Sequence, residues 1–424
     1  MPDDAQFRDG NRRGGTGADG ALTAPLLPED VLERIACLVL LAFAAALQFS
    51  IAIADIFLAV TTLLWLALIV RNRERVRFPG MFWPLAAFAA ATLVASVFSV
   101  DPRVSLVDSK QLVLLVIVPL VYRLLPGRRS LLAIDVIVTM GAISATIGII
   151  EYGILDYDSL GLRPGGSLGG HYMTYSGLLM LVACAAVARL LFSRHNRAWT
   201  AIVMPALVVA LILTQTRSAW VGACVGIGLM FLLRDFRLLA LLPVALGAFL
   251  AIAPAHLTER LYSTFSLSDP SNADRLAMIR SGWRIIKDDP LTGVGPDMVI
   301  QVYPHYRDKR AVNQLAPHLH NVPLQIAAER GLPALALWLW FIVRLVRDFV
   351  RRRRGATASL AAGALAAIAA MLAAGQFEYN FGDSEFLMLF LVLVTLPYAA
   401  ERGAAALVSA AEPMAAVTDV RRAV

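Results

Sequence analysis

The sequence predicts an all-α polytopic membrane protein, with about twelve transmembrane helices and one long non-cytoplasmic loop that carries helices of its own. Three observations lead there. Of 424 residues, 58% are hydrophobic and only 16% charged, and the mean hydropathy is +0.67; soluble domains are about half apolar and about a quarter charged. The apolar residues gather into runs of bilayer length. Basic residues cluster in alternate loops between those runs. The net charge of +7 does not indicate nucleic acid, because the arginines are scattered among apolar runs and form no domain that could track phosphates.

Residues 1–30 are polar and Gly/Asp-rich, a composition of disorder, and read as a cytoplasmic N-terminus. No signal-peptide cleavage pattern follows them, so the first apolar segment is expected to remain a span. Residues 31–253 hold nine spans, with apolar cores at 35–49, 52–70, 81–98, 108–125, 131–150, 172–192, 198–213, 218–233 and 237–253. Residues 35–70 are too long for one crossing and divide at Gln48–Ser50. A loop domain at 254–321 comes next. Three more spans, 322–343, 357–376 and 384–400, complete the segment 322–400, and a tail at 401–424 ends the sequence. Cys37, Cys184 and Cys224 all lie in apolar runs and read as free buried thiols.

Orientation follows from charge. The loops after the second, fourth, sixth, eighth and tenth spans hold eighteen arginines, among them Arg71, Arg123, Arg194, Arg234 and Arg351 to Arg354. The short loops of opposite parity hold only Arg103, Lys110, Arg163 and Arg217. The positive-inside rule then places both termini in the cytoplasm and the 254–321 loop outside. That loop contains four of the six histidines, His256, His305, His318 and His320, so chemistry is sought there.

Within the loop, SNADRLAMIRSGWRIIKDDP reads as a helix capped by Ser271 or Asn272 and ended by Pro290. Leu276, Ile279, Trp283 and Ile286 form an apolar stripe, with Arg280, Arg284 and Lys287 along one edge and Arg275 on the other. Such a helix either lies in the interface with its cations at lipid phosphates or uses one or two arginines to hold a specific anion. Gly293 and Gly295 in DDPLTGVGPD follow no strand, so they read as a turn rather than a dinucleotide loop. His318 and His320 stand just before a span that Asn321 caps, with Pro323 in its first turn. Each histidine is either an interfacial side chain or, for His320, a general base. No Cys, Asp or Glu ligand set with metal spacing accompanies them, so no metal is expected.

Arg217, in TQTRSAW, sits in a very short hairpin on the side that disfavours positive charge. An arginine near bilayer depth costs ~2.5–3.5 kcal/mol, so it needs a ligand or a partner. Arg163, in a Gly-rich loop, falls on the same side. An ion pair with Glu378, Asp383 or Glu385 is the structural explanation for either. The alternative is an anion site beside a base, and bidentate guanidinium suits phosphate oxygens. A lipid-like extracytoplasmic anion of that kind is a polyprenyl phosphate or pyrophosphate.

These residues carry a family likeness. The chain resembles the bacterial O-antigen ligases, within a superfamily that also includes O-antigen polymerases and protein O-oligosaccharyltransferases. The likeness extends over nearly the whole chain. His320-Asn321, then nine residues, then Gly331 match a motif of that superfamily, with Ala334 where Gly, Thr or Tyr is usual. Thr216 replaces Ser before Arg217 in the hairpin motif, and the run from Arg275 through Trp283 to Asp289–Gly295 also fits. The resemblance implies inverting, metal-independent glycosyl transfer with no cofactor, at the periplasmic face of the inner membrane. The donor would be O-antigen on undecaprenyl pyrophosphate, and the acceptor a hydroxyl of lipid A–core. His320 would be the base, and Arg217 and Arg275 would bind pyrophosphate. Arg163, Arg280, His318 and Asn321 would be further substrate contacts. A polymerase would need the same residues. The short C-terminal tail argues against the protein-glycosylating members. A lipid-linked glycan flippase would suit twelve spans but expects repeated halves and polar groups at the midplane, and a non-catalytic scaffold has no use for the arginines.

Overall fold

The computed structural model describes residues 26–152, 171–193, 196–266, 269–355 and 357–402. Every regular element among them is helical. Each expected apolar run forms a helix: α1 (Val31–Ala46), α2 (Ile51–Asn72), α3 (Phe82–Val97), α4 (Pro102–Leu124), α5 (Arg128–Ile150), α6 (Tyr172–Phe192), α7 (Arg197–Leu213), α8 (Arg217–Arg234) and α9 (Phe236–Ile252). Three loop helices follow, α10 (Ala255–Tyr262), α11 (Pro270–Asp288) and α12 (Val299–Tyr306). Then come α13 (Val322–Arg352), α14 (Ala358–Ala374) and α15 (Ser384–Arg402).

Among the described residues, seven helices (α2, α4, α5, α6, α8, α13 and α15) are long and apolar enough to cross a membrane. The expectation of twelve crossings therefore exceeds what length and composition establish. Helices α3, α7, α9 and α14 are apolar but shorter, and α1 has 16 residues. The break expected at Gln48–Ser50 is present: α1 ends at Ala46, and Ser50 opens α2 in an extended conformation. At the start of α1, Asp30 accepts a hydrogen bond from the backbone of Glu33 at 2.9 Å, satisfying an end donor that the helix leaves free.

Apolar side chains alone do not drive helices together in lipid, so close packing must. Helix α8 shows how. A Cβ placed on Gly226 would stand 2.8 Å from the Ala366 carbonyl oxygen of α14, and one on Gly222 would stand 2.8 Å from that of Ala370. Only glycine permits this approach. Helix α9 is the opposite case, with no buried residue along Leu241–Ile252. Cys37 and Cys184 are buried as expected, but Cys224 is exposed because it lies on the outward side of α8.

The two ends of the bundle differ in chemistry. At one end Arg123 bonds Glu33 and Glu74, Arg129 bonds Glu33, and Arg352 bonds Glu401. The other end gathers the loop helices, the start of α8 and the segment between α14 and α15. This is the division that the charge parity of the loops implies.

The loop region has a small core of its own, in which Met278, Ile285, Val294, Met298, Tyr303 and Leu319 pack onto Ala327 and Ala328 of α13. It is fixed to the bundle at a kink. Gly331 adopts φ 78°, ψ 169° inside α13, and Pro333 has no N–H to give to the Glu329 carbonyl. The turn after α11 supplies the missing partners. Gly295 N–H donates to Glu329 O and Val294 N–H to Ala328 O, both at 2.9 Å, while Leu332 N–H donates to Pro290 O at 2.8 Å. The glycines of DDPLTGVGPD are thus the positioning turn that the sequence predicts.

One local expectation is corrected. Helix α11 is capped by Asp269, whose side chain accepts from Ser271 N–H and Asn272 N–H, and not by Ser271 or Asn272. Of the apolar stripe on α11, Leu276, Ile279 and Trp283 are 43%, 43% and 55% exposed, and Ile286 is buried. The face with Ala277, Ser281 and Gly282 docks instead, because a helix presenting small residues can approach α13 most closely.

Candidate active site

Two histidines and a glutamate meet at the loop-bearing end. The strap before α13 is held from both sides. Gln325 Oε1 accepts from Leu319 N–H at 2.7 Å, and Val322 N–H donates to Gly375 O at 2.7 Å. Asn321 caps α13 as expected, accepting from Leu324 N–H at 2.9 Å, and its amide reaches Gln376 at 3.3 Å. It serves the helix end. Between these ties His320 takes a left-handed conformation, φ 47°, which turns its ring toward the segment after α14.

There Glu378 receives it. His320 Nδ1 and Glu378 Oε2 are 3.0 Å apart, and His318 Nε2 lies 3.7 Å from Oε1 of the same carboxylate. The two imidazoles meet edge to face at 4.2 Å. Tyr379 N–H also donates to Glu378 Oε1, at 3.1 Å. Burial would raise the Glu378 pKa, but the His320 hydrogen bond, the two adjacent imidazoles and the Tyr379 N–H outweigh it and hold the carboxyl below its usual range. Glu378 is therefore a carboxylate, which can only accept, so His320 Nδ1–H donates to it, and Nε2 is the ring nitrogen that this contact leaves unused. Burial, reinforced by His320, pushes the His318 imidazole down to about 4, so His318 is neutral near pH 7.

Arg217 is 5% exposed and partnered. Its guanidinium donates to the carbonyl and hydroxyl of Ser263 at 3.0 and 3.1 Å and to Asp269 at 3.2 Å. The structural ion pair foreseen for it with Glu378, Asp383 or Glu385 is replaced by one with Asp269, the residue that caps α11. Burial opposes ionisation of Asp269, yet the Arg217 hydrogen bond and charge keep its pKa below the ordinary value. Arg217 thus ties the start of α8 to the start of α11.

One and a half turns along α11 stands Arg275, half-buried, with no hydrogen bond or ion pair among the described residues. Burial lowers its pKa, Glu378 opposes that, and Arg217 adds to it. A desolvated guanidinium with these neighbours favours an incoming anion. Arg280 is directed elsewhere, 3.8 Å from Asp308, a residue it shares with Arg284 at 3.2 Å. Arg163 lies outside the described residues.

Beside the histidines is a cavity of about 230 Å³, lined by His171, Thr174, His318, Glu378, Tyr379 and Asp383 among others. A larger groove of about 830 Å³ runs between α2, α4 and α15, with Leu58, Leu63, Val113 and Met388 on its walls and Asp108, Lys110 and Gln111 at its polar end; Gly382 lines both. Below the histidines, Arg330 binds Glu329 at 2.7 Å and the Tyr379 hydroxyl at 3.2 Å.

Sequence reasoning brought together His320, His318, Arg217 and Arg275, but it did not pair Glu378 with the histidines or Asp269 with Arg217. The available signal was parity: the α14–α15 connection, with its acidic residues, falls on the same side as His320.

Residues 202–339, from α7 through the kinked α13, match the family model for O-antigen ligases. The matched segment contains Arg217, Arg275, His320 and Gly331, and it supports placing the chain in the O-antigen ligase superfamily. The chain has no significant match among curated proteins.

Proposed function

We propose, on the premise of membership in the O-antigen ligase superfamily, that this multi-pass membrane protein transfers O-antigen from undecaprenyl pyrophosphate to a sugar hydroxyl of lipid A–core. The reaction would run at the periplasmic face of the bacterial inner membrane, with both termini cytoplasmic. The arginine-rich opposite end of the bundle supports that orientation. The observation that carries the reading is the 3.0 Å contact of His320 Nδ1 with Glu378, at the same end as half-buried Arg275, which has no hydrogen bond or ion pair among the described residues.

In this mechanism His320 Nε2 takes the proton of the acceptor hydroxyl. The oxygen attacks the anomeric carbon opposite the leaving group, so the configuration inverts. The carbon–oxygen bond to pyrophosphate breaks, and its electrons pass to the pyrophosphate oxygen. Arg275 stabilises the charge that develops there. Arg217 assists from the base of α11, and Glu378 stabilises the imidazolium. Guanidinium groups supply the charge that a metal ion would otherwise provide, so transfer needs no metal or other cofactor. The apolar groove beside α2 and α4 suits a hydrocarbon tail.

The test is transfer by the purified protein, in detergent with EDTA, from polyprenyl-pyrophosphate-linked glycan to lipid A–core. Product from wild type and none from His320→Ala supports the reading. A folded wild type that binds both substrates and makes no product overturns it in favour of a polymerase or a flippase. An active His320→Ala variant removes the base from the mechanism.

A further inference from the structure

The His318–His320–Glu378 cluster can take up something other than a proton. We propose that these three side chains form a binding site for zinc-class divalent ions, and that occupancy silences His320 as a base. Each residue offers one ligand atom within 4.8 Å of the other two. At metal–ligand distances of ~2.0–2.1 Å, atoms around a tetrahedral zinc stand ~3.3 Å apart. His318 Nε2 and Glu378 Oε1 are 3.7 Å apart, and His320 Nδ1 and Glu378 Oε2 are 3.0 Å apart. Both are within ~0.4 Å of that spacing, and with all three ligand atoms inside 4.8 Å of one another, side-chain shifts of ~1.5 Å or less bring them onto one ion.

The surroundings suit a metal. The Tyr379 N–H donates to Glu378 Oε1 at 3.1 Å and so holds the carboxylate in place for an ion. The adjoining cavity of about 230 Å³ reaches both His318 and Glu378 and gives an ion a path in and room for a fourth ligand. Among the described residues His318 Nδ1 is buried with no hydrogen-bond partner, so none of them holds that ring against the rotation an ion requires. Two imidazoles and one carboxylate select zinc, cobalt or nickel over magnesium.

Silencing follows from the tautomer. Without metal, His320 carries its proton on Nδ1, donated to Glu378, and Nε2 has the free lone pair. With an ion on Nδ1, the neutral ring must carry its proton on Nε2, and no lone pair remains to accept another.

The experiment is a cobalt(II) titration of the tag-free full chain in detergent, read by the visible bands of tetrahedral cobalt, followed by displacement with zinc. We expect saturable binding, displaced by zinc and not by magnesium. It should weaken at least tenfold in His318→Ala and in Glu378→Gln and be unchanged in His305→Ala, which removes an exposed histidine of the same loop. X-ray absorption of the zinc-loaded wild type should show two imidazoles, a reading that does not depend on any variant folding. No binding by folded wild type, or a coordination sphere without imidazole, overturns the site. Binding is read without turnover, so it stands or falls apart from the proposed reaction. If zinc binds and does not inhibit transfer by an active enzyme, the silencing is overturned and the site remains.

Discussion

Glu378 accepts a hydrogen bond from His320 Nδ1 at 3.0 Å across 58 residues of sequence, and that contact fixes which imidazole nitrogen is free. A base near a hydroxyl contributes ~10²–10⁴-fold to a rate. We therefore expect His320→Ala to lower kcat by about that range. Glu378→Gln keeps the shape and loses the charge; it should lower kcat by about 10-fold or more with little change in KM. The check is steady-state transfer kinetics for both variants. A Glu378→Gln enzyme at wild-type rate would count against the dyad.

Arg217 and Arg275 should separate by what their loss affects. Arg217 is bonded to Ser263 and Asp269, so Arg217→Lys, which keeps the charge and loses the fork that reaches both, should lower the thermal midpoint in detergent at a cost of about 1–2 kcal/mol. Arg275→Lys breaks no such bond; it should leave the midpoint unchanged and weaken polyprenyl-pyrophosphate binding by about 10-fold through loss of bidentate contact. Thermal unfolding and ligand titration on both proteins decide this, and the reverse pattern would sink the assignment.

The kink at Gly331 should tolerate no side chain. A Cβ there would stand 2.1 Å from the Leu291 carbonyl oxygen, at a φ of 78° that L residues rarely adopt. Gly331→Ala should cost at least about 2–3 kcal/mol and detach the turn at 290–295 from α13. Faster proteolysis within 289–300 is the expected readout, and a variant as resistant as wild type would refute this role.

His318 gives the fold a pH dependence. Its pKa is lowered to about 4 from an ordinary value near 6.5. Between those values the unfolded chain binds a proton that the folded one does not, so stability is complete above about 6.5 and declines as pH falls toward 4. The full loss is on the order of 3 kcal/mol at most. Thermal midpoints from pH 7 to 4 should fall less steeply in His318→Gln than in wild type. Parallel curves would mean that His318 is not the titrating group.

The sequence alone determined the helical segments, the break before Ile51, the division of the bundle into an arginine-rich end and a loop-bearing end, and the Asn321 cap. All of these depend on local properties: apolar length, the charge of the flanking loop, and a side chain bonding a backbone three residues away. The sequence also brought His320, His318, Arg217 and Arg275 to one side. It could not choose their partners. Arg217 meets Asp269 across 52 residues, not one of the acidic groups after α14, and Glu378 is taken by the histidines. The face of α11 that docks was likewise undecided, because lipid and protein interior are both apolar and a stripe of Leu276, Ile279 and Trp283 satisfies either. Only the tertiary structure settled these points, since close approach of small residues and the satisfaction of buried charges depend on elements far apart in the chain.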